Sequence, residues 1–463
     1  MLDLIWWQFK YSWKKWLGTL FVFIIAGLFL GFTSIGSFST IQAHLNYGNF
    51  NPVQLFMMPT IFGLITLILI INGMTRLLIN SFQKEYSLWS ILGANPNQLS
   101  KLISSQMAII SLVGGIIGYC LSYPLVTRLY AWVRTSPGMQ QFPQVPFHFS
   151  WRSLLITLLS IGIISWVISF FDAHKIFISK ASHFHHWYKL TKWGMTPLSW
   201  LGSLISISGL VFIYNLFFMD TTQLRNLLGA YNQSLVSLYT PLFLGTIFIV
   251  IIAFSLAAPI ILPLIVRLIG QIILPHRLKT FSTAYWNVFV RKDFLKSVVM
   301  PLFILATLCS FFAYLAIDLA NIASKRSFAG LLGTLTMFLG TPFLIIFANA
   351  ISITIISSPQ RNYNVQQLQI LGFSMKDLLT EKYWEALIYA LVIFISGSMN
   401  NAFLFGAIIR AAHNTGVVVK DNWLSIFIFP IICSFLAFLF VIIIDTLHIY
   451  RTNRQKVSNT SIK

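Results

Sequence analysis

Ionisable side chains are scarce in this 463-residue chain, so the few inside apolar runs are where any chemistry would sit. Burying a charge in lipid costs at least ~2.5 kcal/mol. Glu385 lies just inside one such run with Lys382 one turn away, and Asp445 lies near the end of another with His448 one turn away. These spacings predict local ion pairs. Acids this few and this peripheral do not make a proton relay through a membrane centre. Arg76 and Arg267 fall near the ends of apolar runs and are expected to snorkel to the headgroups. His183, His185 and His186 form the sole metal-like cluster, but they stand on a basic loop without Cys or carboxylate neighbours and read as interfacial side chains. No Ser-His-Asp set, H-E-x-x-H run or paired intramembrane carboxylate suggests an enzyme. No G-x-x-x-x-G-K-[ST] run provides an ATP site. The expectation is therefore a chain with no catalytic, metal or directly bound cofactor residues.

The elements around these residues are membrane helices. Charged residues make up 9% of the chain, against about 25% in soluble domains, and mean hydropathy is +0.78, which places it among polytopic membrane proteins. The net charge of +20 is carried mainly by short connectors between apolar runs, the pattern of loops beside anionic lipid, so nucleic acid is not an expected partner. Cys120, Cys309 and Cys433 all fall in apolar runs and read as small core residues. Ten spans are predicted at about 17–36, 55–80, 102–127, 153–171, 198–218, 238–266, 298–319, 333–357, 383–408 and 424–446. The first is expected to act as an uncleaved anchor. Residues 1–16 read as an interfacial amphipathic helix, with Leu2, Ile5, Trp6, Phe9, Trp13 and Trp16 on its apolar side. The same pattern also fits the flank of the first span. Segment 129–150 reads as an irregular external loop, and 278–296 as a second basic amphipathic stretch. The lysine and arginine bias puts both termini in the cytoplasm.

Two connectors share a pattern. In the first, at 82–101, Lys84 and Glu85 precede an apolar turn with Leu88 and Leu92. Gly93 is a helix stop, Asn95-Pro96 opens a new helix, and Lys101 follows. In the second, within 359–380, Gln366 precedes Ile370-Leu371-Gly372, and Lys376 follows. Gly93 and Gly372 are 279 positions apart, and the same offset places Trp7 on Trp286 and Gln8 on Asn287. His174-Lys-Ile-Phe177 and His448-Ile-Tyr450 echo each other at a slightly shorter spacing. The chain therefore divides into a four-helix unit at 1–177, a two-helix unit at 178–280, a second four-helix unit at 281–450 and a basic cytoplasmic tail at 451–463. The span after the first connector carries Gly114, Gly115 and Gly118, a small-residue face for close helix packing.

This arrangement, a helix ending in Leu-Gly followed by a polar turn and a long membrane helix, resembles the FtsX-like permease family. The 4 + 2 + 4 plan is similar to the bacitracin-detoxification type of those permeases. Those carry a large extracellular domain between spans seven and eight, and only 320–332 is available here; the macrolide-export type has a large domain after its first span, where this chain has 37–54. The resemblance implies an all-α permease in a bacterial cell membrane, working with a separate cytoplasmic ABC ATPase, a dimer that binds ATP and Mg. Its docking surface would be the coupling helices of the two connectors, with Lys84, Glu85 and Lys101 pairing with ATPase charges. Mechanotransmission would then act on a hydrophobic or amphipathic peptide or lipid substrate, as in antimicrobial peptide resistance. The alternative is a non-transporting scaffold that relays ATPase state to an external hydrolase or sensor kinase. A membrane lipid environment is common to both.

Overall fold

The computed structural model describes residues 2–43, 52–135, 143–181, 197–228, 235–273, 279–322, 328–415 and 424–460. The described residues are helical apart from turns, short breaks and one segment without regular structure at 143–150. In chain order the helices are α1 (Leu2–Gln42), α2 (Pro52–Ser81), α3 (Gln83–Ile91), α4 (Pro96–Thr135), α5 (Trp151–Ala181), α6 (Pro197–Phe218) and α7 (Thr221–Leu228). They continue with α8 (Leu235–Ile273), α9 (Lys279–Val290), α10 (Lys292–Ile322), α11 (Phe328–Ile370), α12 (Met375–Thr415) and α13 (Ser425–Thr460). Ten of them are long and apolar enough to cross a bilayer: α1, α2, α4, α5, α6, α8, α10, α11, α12 and α13. Each of the ten predicted spans falls on one of these helices. The protein is an all-helical, multi-pass membrane protein.

Several boundaries differ from the sequence-based expectation. Residues 1–16 are not a separate helix: α1 runs unbroken through 41 residues, and Trp16, expected at the headgroups, is buried at 1% exposure. α4 continues to Thr135, so the external loop expected at 129–150 begins only after it. At about 1.5 Å per residue, its 40 residues are roughly 60 Å long, about twice the hydrocarbon thickness. Most of the second connector is likewise the last turns of α11, which leaves only 371–374 as linker. The clusters at 44–51, 182–196 and 416–423, with His183, His185 and His186, lie outside the described residues.

The chain forms two compact units, 1–185 with 319–367, and 186–318 with 368–463. In the first, α1, α2, α4 and α5 pack together, and the Ser352 backbone of α11 lies against Gly18 of α1. At the α1–α4 crossing the backbones approach closely. A Cβ on Gly118 would stand 2.1 Å from the Ile24 carbonyl oxygen, and one on Gly114 would stand 2.7 Å from Phe23 Cβ. Gly115 lies under Gly27, whose own added Cβ would be 2.7 Å from the Gly115 carbonyl oxygen. Larger residues cannot occupy such a crossing without separating the helices. Hydroxyl pairs tie the remaining helices: Ser34 with Thr157 at 2.8 Å, Ser111 with Ser165 at 2.8 Å, and Thr75 donating to Ser169 at 3.2 Å. The segment before α5 packs Val145 and Phe147 onto Phe56, Tyr119 and Tyr130.

In the second unit α12 is central and touches α6, α8, α9 and α13. Asn400 donates to Thr307 at 2.6 Å, and Asn401 donates to Ser310 at 2.6 Å and to the Ile426 carbonyl at 3.0 Å, which joins α10, α12 and α13. The far end of α12 is covered by α6, α7 and α8. There Ala407 and Ala411 pack with Phe217, Leu224 and Tyr239, and Asn414 donates to the Phe217 carbonyl and to Tyr239.

Candidate functional site

The first connector begins where α2 bends at Phe82 into the nine-residue helix α3. Phe82, Tyr86 and Trp89 recur at four and three residues, so they share one face of α3. Glu85 occupies its first turn, where a negative charge suits the helix dipole. α3 ends in a Schellman motif: the Gly93 N–H donates to the Ser90 carbonyl at 3.1 Å and the Ala94 N–H to the Trp89 carbonyl at 2.9 Å. Gly93 takes φ +90°, which side-chain-bearing residues rarely adopt. α4 then opens with a capping box. The Asn97 N–H donates to Asn95 Oδ1 at 3.2 Å, and the Asn95 N–H donates to Gln98 Oε1 at 3.2 Å.

The second connector repeats the Schellman turn bond for bond at the 279-residue offset. The Gly372 N–H donates to the Gln369 carbonyl at 3.1 Å, and the Phe373 N–H to the Leu368 carbonyl at 3.0 Å. Gly372 has φ +86°. Ser374 and Asp377 form the box: the Ser374 N–H donates to Asp377 Oδ2 at 2.9 Å, and the Asp377 N–H donates to Ser374 Oγ at 3.2 Å. The two turns are the same piece of backbone built from different caps.

Both turns expose apolar side chains. Ile91 and Leu92 are 81% and 84% exposed, and Ile370 and Leu371 are 85% and 74% exposed. None of the four lies within a membrane-crossing stretch. Leu88, Glu85, Gly93, Lys101, Gln366, Gly372 and Lys376 are also exposed. The Lys84 side chain lies outside the described ones. Each connector thus presents an apolar tip with polar and charged residues beside it, a surface suited to a protein partner.

An aromatic cluster holds the first connector, and sequence reasoning did not find it. Trp16 of α1 stacks on Phe82 with centroids 5.8 Å apart; Phe82 meets Tyr86 at 5.9 Å; and Tyr86 stands edge-on to Phe177 of α5 at 5.6 Å. All four rings are buried. The i,i+4 spacing of Phe82 and Tyr86 is the one local signal, since the other two partners are distant in the chain. α3 is thereby fixed to α1 and α5.

The second unit carries a polar knot two turns beyond Gly372. Lys382 Nζ lies 2.6 Å from Glu385 and 3.1 Å from Glu381, all three buried. Asn287 of α9 donates to Glu381 at 2.7 Å, and the Tyr389 hydroxyl donates to Glu385 at 3.3 Å. The expected Lys382–Glu385 ion pair is present, whereas Glu381 and Asn287 were not foreseen. Asp445 of α13 is buried and within electrostatic reach of Lys382. The His448 side chain lies outside the described ones. Arg76 does not merely snorkel: its guanidinium lies 3.8 Å from Asp172 of α5. Arg267 is exposed.

Residues 56–179 match the family model described as the FtsX-like permease C-terminal domain. The match begins in α2, takes in α3 and the Gly93 turn, and ends in α5. No curated protein matches the chain.

Proposed function

Because residues 56–179 carry that family's pattern, we propose that this chain is the membrane subunit of an ABC transport system whose ATP and Mg are bound by a separate cytoplasmic ATPase, a dimer. The observation that carries the reading is the duplicated turn with exposed Ile91-Leu92 and Ile370-Leu371. These four side chains offer two apolar contacts, and a two-subunit ATPase has two equivalent surfaces to meet them. Glu85, Lys101, Gln366 and Lys376 flank the apolar tips, with Lys84 beside Glu85 in sequence. Both termini are cytoplasmic in this reading, and the chain is a duplicated pair of four-helix units, 1–177 and 281–450, around a two-helix unit. ATPase closure moves α3 and the start of α12, and through them the long helices α4 and α12. The substrate is an amphipathic peptide or lipid-linked molecule at the outer leaflet, which suits spans lined by Phe, Leu and Ile. Antimicrobial peptide resistance is the activity this supports.

The test is co-purification with a candidate ABC ATPase from the same cell. Wild type is expected to retain the ATPase, and Leu92→Asp combined with Leu371→Asp to lose it while the permease still folds. Peptide-stimulated ATP hydrolysis by the wild-type complex then identifies the substrate. Equal ATPase retention by wild type and the double variant would remove the turns as the docking site. Retention with no peptide response, together with capture of a sensor kinase or an external hydrolase, would favour a non-transporting relay.

A further inference from the structure

α9 has two faces of opposite character. Phe281, Ala284, Tyr285 and Val288, spaced as one helical stripe, are buried. Gly270 of α8 approaches Tyr285 so closely that an added Cβ would fall 2.3 Å from the ring. Phe281 stands edge-on to Trp384 of α12 at 5.3 Å, and Asn287 is bonded to Glu381. These contacts fix α9 as a platform on α8 and α12. The outward face carries Trp286 at 55% and Val290 at 73% exposure. Trp286 meets Phe289 edge-on at 5.8 Å, and Lys292 Nζ lies 5.8 Å from the Phe289 ring centroid. Arg291 follows at the break between α9 and α10, and exposed Arg267 stands on the end of α8 that packs against α9. Lys279 is also exposed and lies within electrostatic reach of Asp377.

We propose that the outward face of α9, with Trp286 and Val290, together with Arg291 and Lys292 just beyond its end, is a docking surface for anionic phospholipid headgroups in the leaflet on the Gly372 side of the membrane. Charge complementarity selects this occupant. An indole and a valine at the interface with cations beside them match the acyl–headgroup boundary of a negatively charged leaflet. Each cation near such a surface contributes about 1 kcal/mol, or roughly fivefold in affinity. The platform is held from within, so lipid binding does not have to fold it. The proposal does not depend on the transport reading, because it concerns the chain alone in a bilayer.

The experiment is hydrogen exchange of segment 279–292 in the full-length chain, reconstituted in vesicles of phosphatidylcholine with increasing phosphatidylglycerol. Wild type is expected to show slower exchange in this segment as phosphatidylglycerol is added, an effect weakened by salt. In Arg291→Gln/Lys292→Gln, the phosphatidylglycerol needed for half-maximal protection should rise on the order of tenfold or more. Exchange in α13, in the same unit as α9, serves as the check that each variant is folded, and Lys292→Gln alone is the milder variant if the pair does not insert. Equal exchange in the two lipids, or phosphatidylglycerol protection unchanged in the folded variants, would overturn the proposal.

Discussion

The Tyr86 ring stands edge-on to Phe177, centroids 5.6 Å apart, and this contact links the short helix α3 to the end of α5. Phe82, at the N-cap of α3, and Trp16 of α1 complete the cluster. α3 has only nine residues and its Schellman end is exposed. A helix this short is marginal by itself, so the cluster holds its orientation. Tyr86→Ala should lower stability by on the order of 3 kcal/mol and loosen α3 selectively. A fall in thermal midpoint, with raised hydrogen exchange at 83–92 against unchanged exchange in α4, is the expected result. Tyr86→Phe keeps the ring and should cost much less. Uniform loss of protection throughout the unit would show that the cluster is not local to the connector.

The positive φ of Gly93 and Gly372 makes a second, graded prediction. A Cβ at either position meets nothing within 4 Å, so substitution is opposed by backbone conformation and not by crowding. Alanine should cost roughly 1–2 kcal/mol at each site, and asparagine less, because its side chain tolerates the left-handed region. Thermal midpoints of Gly93→Ala, Gly93→Asn, Gly372→Ala and Gly372→Asn would rank them. Equal costs for alanine and asparagine would mean that something other than φ decides.

At the α1–α4 crossing the reason is the reverse. Gly118 has ordinary helical φ, but its added Cβ would stand 2.1 Å from the Ile24 carbonyl oxygen. Gly118→Ala should separate α1 from α4 and cost at least about 1–3 kcal/mol, the range for overpacking. Gly245→Ala is the matched control, since a Cβ there meets nothing within 4 Å and alanine is the better helix former. Unfolding midpoints in detergent should fall for the first and stay or rise for the second. Similar values would show that α1 and α4 tolerate separation.

These sites also show what the sequence made legible. The ten spans were readable because each holds a long apolar stretch. The first turn was readable because Leu-Gly-Ala-Asn-Pro marks a helix stop and a new start, and the second because Ile-Leu-Gly repeats 279 residues on. Their exposure was not, since a leucine beside a glycine stop reads equally well as buried. The start of α4 was readable from Asn95-Pro96, but its far end escaped because polar residues such as Arg128 and Arg134 interrupt the hydrophobic period. Trp16 with Phe82, and Arg76 with Asp172, are pairs between distant segments, which local spacing cannot specify. Lys382 with Glu385 was readable because its two members lie one turn apart, whereas Asn287 reaches Glu381 from another helix.

That knot supports the last prediction. Lys382 lies between Glu381 and Glu385, and all three side chains are nearly inaccessible. Removing the ammonium leaves two carboxylates buried without their cation, a change expected to cost about 3–5 kcal/mol. Lys382→Met should therefore lower the thermal midpoint sharply. Adding Glu381→Gln and Glu385→Gln removes the stranded charges while preserving side-chain volume, and an amide at 381 still offers an oxygen to Asn287. The triple variant should recover much of the loss, although each single Glu→Gln change destabilises the wild type by leaving Lys382 with one partner fewer. Such non-additivity is the signature of a coupled cluster. If the triple variant is no more stable than Lys382→Met, the lysine acts through the packing of its stem and not through charge.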